Sequence, residues 1–136
     1  MDFTKSAPLG EVVVTADGGV VKKIYAKGDD TLPAPKYGEL VHVLYEGRLA
    51  SNGAVFDSTT DPSDAFSFQI GMGEVIGGWD VGIASMRLGE RAELVLKPDY
   101  AYGDEGCDDD IPPNATLIFK VELIRIAQGP LAARLR

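Results

Sequence analysis

The run GEVIGGWD, from Gly73 to Asp80, places the only tryptophan of the chain, Trp79, directly behind a pair of glycines. Glycines let a backbone turn sharply, and the residues that follow this pair have the spacing of a helix. The large apolar side chains recur at i, i+4 and i+7, at Trp79, Ile83 and Met86. Gly89 is of the residue type that commonly ends a helix. The sequence therefore predicts one short helix over residues 78–88.

Segments in which apolar and polar residues alternate, as they do in strands, lie on both sides of this helix. The predicted strands are Val20–Tyr25, Glu39–Leu49, Phe66–Ile70, Arg91–Lys97 and Leu117–Ile126. Residues of one parity point to one face of a strand, so Leu117, Phe119, Val121 and Leu123 should face inward together. One short helix beside several antiparallel strands predicts an α+β domain whose sheet curls over the helix.

Length and composition limit the chain to one domain in a reducing compartment. The 136 residues are 45% hydrophobic, enough for a single core. We expect a flexible leader over 1–16, a domain over 17–126 and a tail or linker over 127–136. The apolar runs are too short for a membrane span, and the lone Cys107 cannot form an internal disulfide, so we expect a cytoplasmic protein. A formal charge of −8 argues against binding nucleic acid or anionic membranes.

Several catalytic and cofactor motifs are tested and rejected. Gly71, Gly73 and Gly77 suggest a dinucleotide loop, but Ile76 stands where a third glycine of that fingerprint is needed. The acidic run 104–110 lacks the alternating ligands and closing glutamate of a calcium loop. A nucleophile and base formed by Cys107 and His42 would lack an orienting third partner. We therefore expect neither a metal nor a cofactor.

A set of large apolar side chains remains as a candidate binding site. Its members stand on strands, at the helix start and in loops, and they are Tyr45, Phe56, Phe66, Val75, Ile76, Trp79, Tyr102 and Phe119. Composition alone would make them ordinary core. Three features favour a site instead: Asp57 is expected to be buried or half-buried beside an aromatic, Ile76 precedes a helix N-terminus with free N–H groups, and Tyr102 stands in a loop. Polar groups that converge on an apolar cavity are typical of a binding site.

The order and spacing of six motifs resemble the FKBP family of peptidyl-prolyl isomerases from about Gly19 to Ile126. The motifs are YEG (45–47), GAVFDS (53–58), FSF (66–68), GEVIGGWD (73–80), YAYG (100–103) and IPPNATL (111–117). The resemblance implies an antiparallel sheet of five to six strands, half-wrapped around one short helix. It implies isomerisation of bonds that precede proline, without a covalent intermediate.

The resemblance also implies roles for individual residues. Trp79 would form the floor of a pocket for the proline ring, and Ile76 N–H and the Tyr102 hydroxyl would donate hydrogen bonds to carbonyl groups. Asp57 would accept a hydrogen bond or orient its neighbours. The residues implied in catalysis are Tyr45, Phe56, Asp57, Ile76, Trp79, Tyr102 and Phe119. Those implied in ligand binding add Phe66, Val75, Cys107, Asp110 and Ile111.

Four departures from the family pattern concern the rim of this pocket. Pro62 stands near the place of a common arginine that pairs with the aspartate, and Leu44 replaces a common histidine. The stretch between Tyr45 and Phe56 is one residue longer than usual. Cys107 and Asp110 stand where a histidine and an apolar residue are frequent.

The partners that the resemblance implies are proline-containing peptides and proteins, together with macrolide inhibitors of the FK506 or rapamycin type. A phosphatase or a chaperone is a further expected partner, through the drug complex or further domains. We expect a monomer, with a function in protein folding. A proline-segment or macrolide binding module with incidental activity is the alternative. The first residues resemble the entry to the first FKBP domain of larger, tetratricopeptide-bearing members.

Overall fold

The computed structural model describes residues 2–127, and the predicted tail beyond Ala127 lies outside them. The described part contains seven strands and one α-helix. The strands are β1 (Gly10–Val13), β2 (Val20–Ala26), β3 (Leu40–Leu49), β4 (Val55–Thr59), β5 (Phe66–Gln69), β6 (Arg91–Leu96) and β7 (Leu117–Ala127); the helix is α1 (Gly77–Ala84). All strand pairs are antiparallel, which confirms the predicted α+β class.

The seven strands form one sheet in the order β1-β2-β6-β7-β3-β4, with β5 also paired to β3. The prediction of five to six strands was therefore too low, because β1 and β4 were missed. All four residues of β1 are exposed, and β1 lies in the segment predicted to be a flexible leader. Strand β4 is also mostly exposed and follows a turn. Both are short edge strands, whose exposure removes the alternation that identified the others.

The helix begins one residue earlier and ends four residues earlier than predicted. Its last turn tightens, because the N–H groups of Ser85 and Met86 donate to carbonyls only three residues back, and the Ser85 hydroxyl also bonds to Gly82 O. Met86 remains fully buried although it lies beyond the helix. Helical spacing identified a buried face correctly but could not locate the end of the hydrogen-bonded turns.

Close packing of α1 against β6 depends on two glycines one turn apart. A Cβ at Gly82 would lie 2.9 Å from the Leu94 side chain, and one at Gly78 would collide with Leu96. Because neither glycine has a side chain, the helix lies directly on the strand, and Trp79 and Ile83 enter the core. Gly78 and Gly82 therefore determine how deeply Trp79 is buried in the fold.

The core lies between α1 and the concave side of the sheet. In β6 and β7 the alternate residues face inward as predicted, and they are buried at Ala92, Leu94, Leu96, Leu117, Phe119, Val121 and Leu123. A buried ion pair, Lys22 Nζ to Glu90 at 2.9 Å, joins β2 to the residue before β6. In residues 2–127 no helix has the length and apolarity needed to cross a membrane.

Candidate functional site

A cavity of about 250 Å³ opens between the start of α1, the concave side of β3 and β7, and strand β4. Nine of the twelve predicted site residues line it: Tyr45, Phe56, Asp57, Phe66, Val75, Ile76, Trp79, Tyr102 and Phe119. Glu74 is a tenth lining residue that the sequence analysis missed. The structure thus brings together residues up to 74 positions apart, from Tyr45 to Phe119.

Trp79 is surrounded by four aromatic side chains, of which all but Phe68 line the cavity. The centroid of its ring lies 4.8 Å from that of Tyr45 and 5.3 Å from that of Phe119, with the rings nearly perpendicular. Phe66 and Phe68 approach it at 5.7 and 5.9 Å. Edge-to-face contacts of this kind are favourable, so they fix the orientation of the indole. Trp79 is only 5% exposed, and it forms an apolar surface at the bottom of the cavity.

Gly47 lets two further rings meet beside this surface. A Cβ at Gly47 would lie 2.7 Å from the rings of both Phe56 and Phe119. These two rings pack edge to face, with centroids 5.6 Å apart. A side chain at position 47 would separate them, so the glycine is needed for the wall where β3 faces β4 and β7.

Tyr45 and Asp57 form the polar contact of the cavity. The Tyr45 hydroxyl donates to Asp57 Oδ2 at 2.6 Å. Burial raises the pKa of Tyr45, and the neighbouring Asp57 carboxylate raises it further, so the hydroxyl stays protonated. The expectation that Asp57 is buried or half-buried was wrong: Asp57 is exposed, because β4 is an edge strand with only β3 beside it.

Two potential hydrogen-bond donors belong to the lining of the cavity. Ile76 immediately precedes α1, and its N–H has no acceptor among residues 2–127. Tyr102 is 37% exposed and carries its hydroxyl on the loop that follows β6. Burial raises the pKa of Tyr102, and Coulombic interactions with Cys107 and Asp57 raise it further, so Tyr102 also remains a donor at neutral pH.

Asp80 fastens the loop that carries Glu74, Val75 and Ile76. Its two carboxylate oxygens accept hydrogen bonds from Gly71 N–H at 3.0 Å and Gly73 N–H at 3.1 Å. Glu74 adds a bond from Gln69 N–H to its side chain, also at 3.0 Å. No role had been predicted for Asp80 from the sequence. An acidic residue in the first turn of a helix, just after a glycine-rich loop, was the available signal.

The other three predicted site residues line a neighbouring cavity of about 300 Å³ instead. This second cavity is lined by Phe56, Asp57, Tyr102, Cys107, Asp108, Asp110 and Ile111. It shares three residues with the first, so the two are adjacent. Cys107 and Ile111 pair through two backbone hydrogen bonds of 2.9 and 3.1 Å, which shape the loop between them. Cys107 is half-buried and Ile111 is buried, whereas Asp110 is exposed.

Other residues singled out in the sequence lie away from the cavity. Pro62 begins a 3₁₀ turn, Pro62–Asp64, between β4 and β5. Leu44 is buried and lines a different cavity with Phe3 of the N-terminal segment. His42 Nδ1 lies 2.7 Å from Ser67 Oγ, and neither Cys107 nor a carboxylate is its partner. Among residues 2–127, no group of three or more His, Cys, Asp or Glu side chains is placed to hold a metal.

Comparison with known proteins gives a consistent picture. The family model described as FKBP-type peptidyl-prolyl cis-trans isomerase matches residues 33–124. The Arabidopsis thaliana protein named peptidyl-prolyl cis-trans isomerase FKBP20-1 is 46% identical over 119 residues, which cover 85% of this chain. Human peptidyl-prolyl cis-trans isomerase FKBP4 is 46% identical over 88% of it. The Aspergillus fumigatus protein named FK506-binding protein 1A is 47% identical over 79% of it.

The same relatives differ greatly in length. The match covers 62% of the Arabidopsis protein and 26% of the human one, but 95% of the Aspergillus protein. Among solved structures, the crystal structure of the three FKBP domains of wheat FKBP73 is similar with a TM-score of 0.78 and 30% identity. That match covers 86% of this chain and 50% of the wheat chain. The fold read from the strands and helix is therefore the fold of these proteins.

Proposed function

The chain belongs to the family of FKBP-type peptidyl-prolyl cis-trans isomerases, and we propose that it accelerates the isomerisation of peptide bonds that precede proline. The observation that supports this proposal is the aromatic cavity above Trp79, with hydrogen-bonding groups at its margin and no serine, threonine, cysteine or lysine in its lining. Proline is the substrate because its ring is compact and apolar, and because its amide nitrogen carries no hydrogen that must be satisfied.

The chemistry requires only rotation about one bond. Twisting the bond costs its resonance, over a barrier of about 18–20 kcal/mol. A site that binds the twisted form more tightly than either planar form lowers this barrier without proton transfer. Lowering it by roughly 7 kcal/mol would accelerate the reaction about 10⁵-fold. The cavity has to supply that difference through contacts that improve as the bond twists.

The residues of the cavity suit the two ends of the twisted bond. The edge of the proline ring packs on the Trp79 indole, between Tyr45 and Phe119, where water is displaced. Loss of resonance reduces the charge on the carbonyl oxygen and makes the proline nitrogen pyramidal, and an apolar aromatic surrounding favours that state over the planar one. Ile76 N–H and the Tyr102 hydroxyl donate to the substrate carbonyls and hold the chain on either side of the bond.

Asp57 serves this arrangement through its bond with Tyr45. The carboxylate fixes the Tyr45 hydroxyl, whose ring lies against Trp79. Because Asp57 is exposed, its second oxygen remains accessible from the opening of the cavity. We propose that peptides with an apolar residue before proline are preferred, since Phe56 and Phe66 present aromatic surface next to the opening.

The same cavity favours a second function, the binding of macrolides. The Aspergillus relative is named for binding FK506, and the match covers nearly all of it. The first cavity and its neighbour are adjacent, and together they offer such a ligand a broad surface. The second cavity adds Cys107 and Asp110 to it. If isomerisation were incidental, this chain would be a binding module for proline segments or macrolides. A phosphatase or chaperone partner stays a prediction.

An isomerisation assay with a matched pair of variants tests the proposal. Exchange spectroscopy on a short peptide with leucine before proline measures the rate with wild-type protein, Tyr102→Phe and Tyr37→Phe. We expect strong acceleration by wild type, a loss of about tenfold for Tyr102→Phe from the missing hydrogen bond, and no change for Tyr37→Phe. Tyr37 is 76% exposed and lines neither cavity, so it controls for the substitution itself. A folded wild-type sample that leaves the solvent rate unchanged would refute the proposal.

A further inference from the structure

Tyr100 lies near the segments that carry the two hydrogen-bond donors of the candidate site. It ends the 3₁₀ turn Pro98–Tyr100 and stands two residues before Tyr102. One face of its ring covers Gly19 so closely that no side chain would fit there. Its other edge lies 3.8 Å from where a Cβ of Gly77 would stand, and Gly77 directly follows Ile76. The ring therefore belongs to the loop that carries Tyr102 and lies beside the start of α1.

The hydroxyl of Tyr100 connects this ring to the turn between β1 and β2. It donates to Asp17 Oδ2 at 2.7 Å. The other oxygen, Oδ1, accepts from the Thr15 hydroxyl at 2.7 Å and from Gly19 N–H at 2.9 Å. A fourth bond, from Lys97 N–H to Gly19 O at 2.9 Å, joins the same turn to the residue before the 3₁₀ turn. The predicted leader, residues 1–16, thus joins this network through Thr15.

The charge of Asp17 makes this connection stronger than an ordinary surface contact. The Thr15 hydroxyl, Gly19 N–H and Tyr100 hydroxyl together lower the pKa of Asp17 to about 2. The carboxylate is therefore ionised at any physiological pH, and its three donors all face a full negative charge. Hydrogen bonds to an ionised acceptor are shorter and stronger than neutral ones.

We propose that Asp17 and Tyr100 are positioning residues, which together hold the Tyr102 loop and the Ile76 N–H at the separation that the twisted bond needs. The inference rests on the proposed function for its catalytic consequence, but the connection itself is a property of the fold. Neither residue lines the cavity or touches a substrate there. Their effect is on the geometry of two groups that do line it.

A double-mutant cycle tests this coupling in the isomerisation assay. Tyr100→Phe keeps the ring and removes the hydroxyl, and Asp17→Ala removes the carboxylate. A misplacement of about 1 Å can cost about 100-fold in rate, so a smaller shift should lower kcat/KM about tenfold in each variant. The double variant should be no less active than the less active of the two single variants, because both substitutions remove the same bond. Additive losses would overturn the proposal.

Asp29→Ala is the matched control. Asp29 also accepts from the N–H and hydroxyl of a threonine two residues on, Thr31, and its pKa is lowered as well. It bonds to no aromatic residue and lines neither cavity. We expect Asp29→Ala to keep the wild-type kcat/KM. An equal loss of activity in Asp29→Ala and Asp17→Ala would mean that destabilisation, and not positioning, explains the effect.

Amide NMR spectra separate this inference from the proposed function. In Asp17→Ala and Tyr100→Phe the amide signals of Ile76 and Tyr102 should shift together, while Asp29→Ala leaves both unchanged. If wild type has no activity but these shifts occur, the proposed function fails and the positioning stands. If wild type is active and the variants melt earlier but keep both signals and the full kcat/KM, Asp17 and Tyr100 are merely structural and the inference is overturned.

Discussion

The floor and the rim of the cavity are built in different ways. We use floor for Trp79 and the three buried rings that pack against it, Tyr45, Phe68 and Phe119, although Phe68 does not itself line the cavity; all four side chains are at most 8% exposed. We use rim for Asp57, Tyr102 and the loop 104–111, in which most residues are exposed. Packing holds the floor, whereas individual hydrogen bonds and loop geometry hold the rim.

This difference separates what stabilises the fold from what discriminates between ligands. A change in the floor leaves a void in a close-packed interior, so binding and stability should fall together. A change in the rim exposes groups that water can solvate, so binding should change with little effect on stability. Each substitution below tests whether the two regions separate in this way.

The largest effect is expected from Trp79→Ala. Truncation of a large buried aromatic typically costs about 3–5 kcal/mol in the free energy of unfolding, and it removes the surface on which proline would pack. Urea unfolding and the isomerisation assay measure the two effects. Phe66→Ala is the control from the same cavity, because Phe66 is 39% exposed and should cost only about 1–2 kcal/mol. Equal losses of stability in the two variants would contradict the claim that close packing holds the floor, because the exposed Phe66 would then matter as much as the buried Trp79.

Tyr45→Phe tests the bond that joins the floor to the rim. The bond ends on an exposed carboxylate, which water can solvate once the hydroxyl is gone, so we expect a cost of about 0.5–1.5 kcal/mol. Activity should fall by more than the stability change alone explains, since Asp57 loses its orientation. Urea unfolding and kcat/KM are compared with Tyr37→Phe. Unchanged activity in Tyr45→Phe would show that the bond between Tyr45 and Asp57 does not contribute to catalysis.

Cys107→Ser tests the rim directly. Cys107 is half-buried beside the second cavity, and the proposed mechanism makes no use of its thiol. We expect the serine variant to keep kcat/KM within about twofold of wild type. Alkylation of the wild-type thiol by iodoacetamide should slow when a proline ligand or macrolide is bound, because the two cavities share Phe56, Asp57 and Tyr102. Abolition of isomerisation in Cys107→Ser would replace the non-covalent mechanism with a covalent one.

The smallest effect is an acid-dependent change in stability from Asp17. Its pKa in the folded protein, about 2, lies below its ordinary value of 3.8. A lowered pKa stabilises the folded state above the ordinary value, and this contribution is lost as the pH falls from about 4 to about 2. Unfolding in urea between pH 2 and pH 5 should therefore show a weaker dependence on pH in Asp17→Asn than in wild type. Identical slopes would contradict the hydrogen bonds assigned to Asp17.

Strands with one buried face could be predicted from the sequence, and exposed ones could not. Alternation located β6 and β7 to within one residue, because the sheet and α1 bury every second side chain. Strand β4 carries Phe56 and Asp57, yet it was missed as a strand because neither face is fully buried. The β1 strand was missed for the same reason.

The aromatic residues of the site could be predicted, but the contacts that hold them could not. A resemblance in sequence identified Trp79, Tyr45 and Phe119, since large side chains at fixed spacing are visible in a motif. The bond of Asp80 to Gly71 and Gly73 depends on how the loop folds back on the helix. The bond of Tyr100 to Asp17 joins residues 83 positions apart, which no local pattern encodes.

Simultaneous titration of binding and rate tests the central claim most directly. Trp79 is the only tryptophan, so its emission reports on the floor of the cavity, and the same sample can catalyse isomerisation of a proline peptide. A macrolide of the FK506 type is added stepwise while both signals are recorded. The account predicts that emission changes and isomerisation stops at the same macrolide concentration. An emission change that saturates while catalysis continues at full rate would show that the cavity above Trp79 is not where proline bonds rotate.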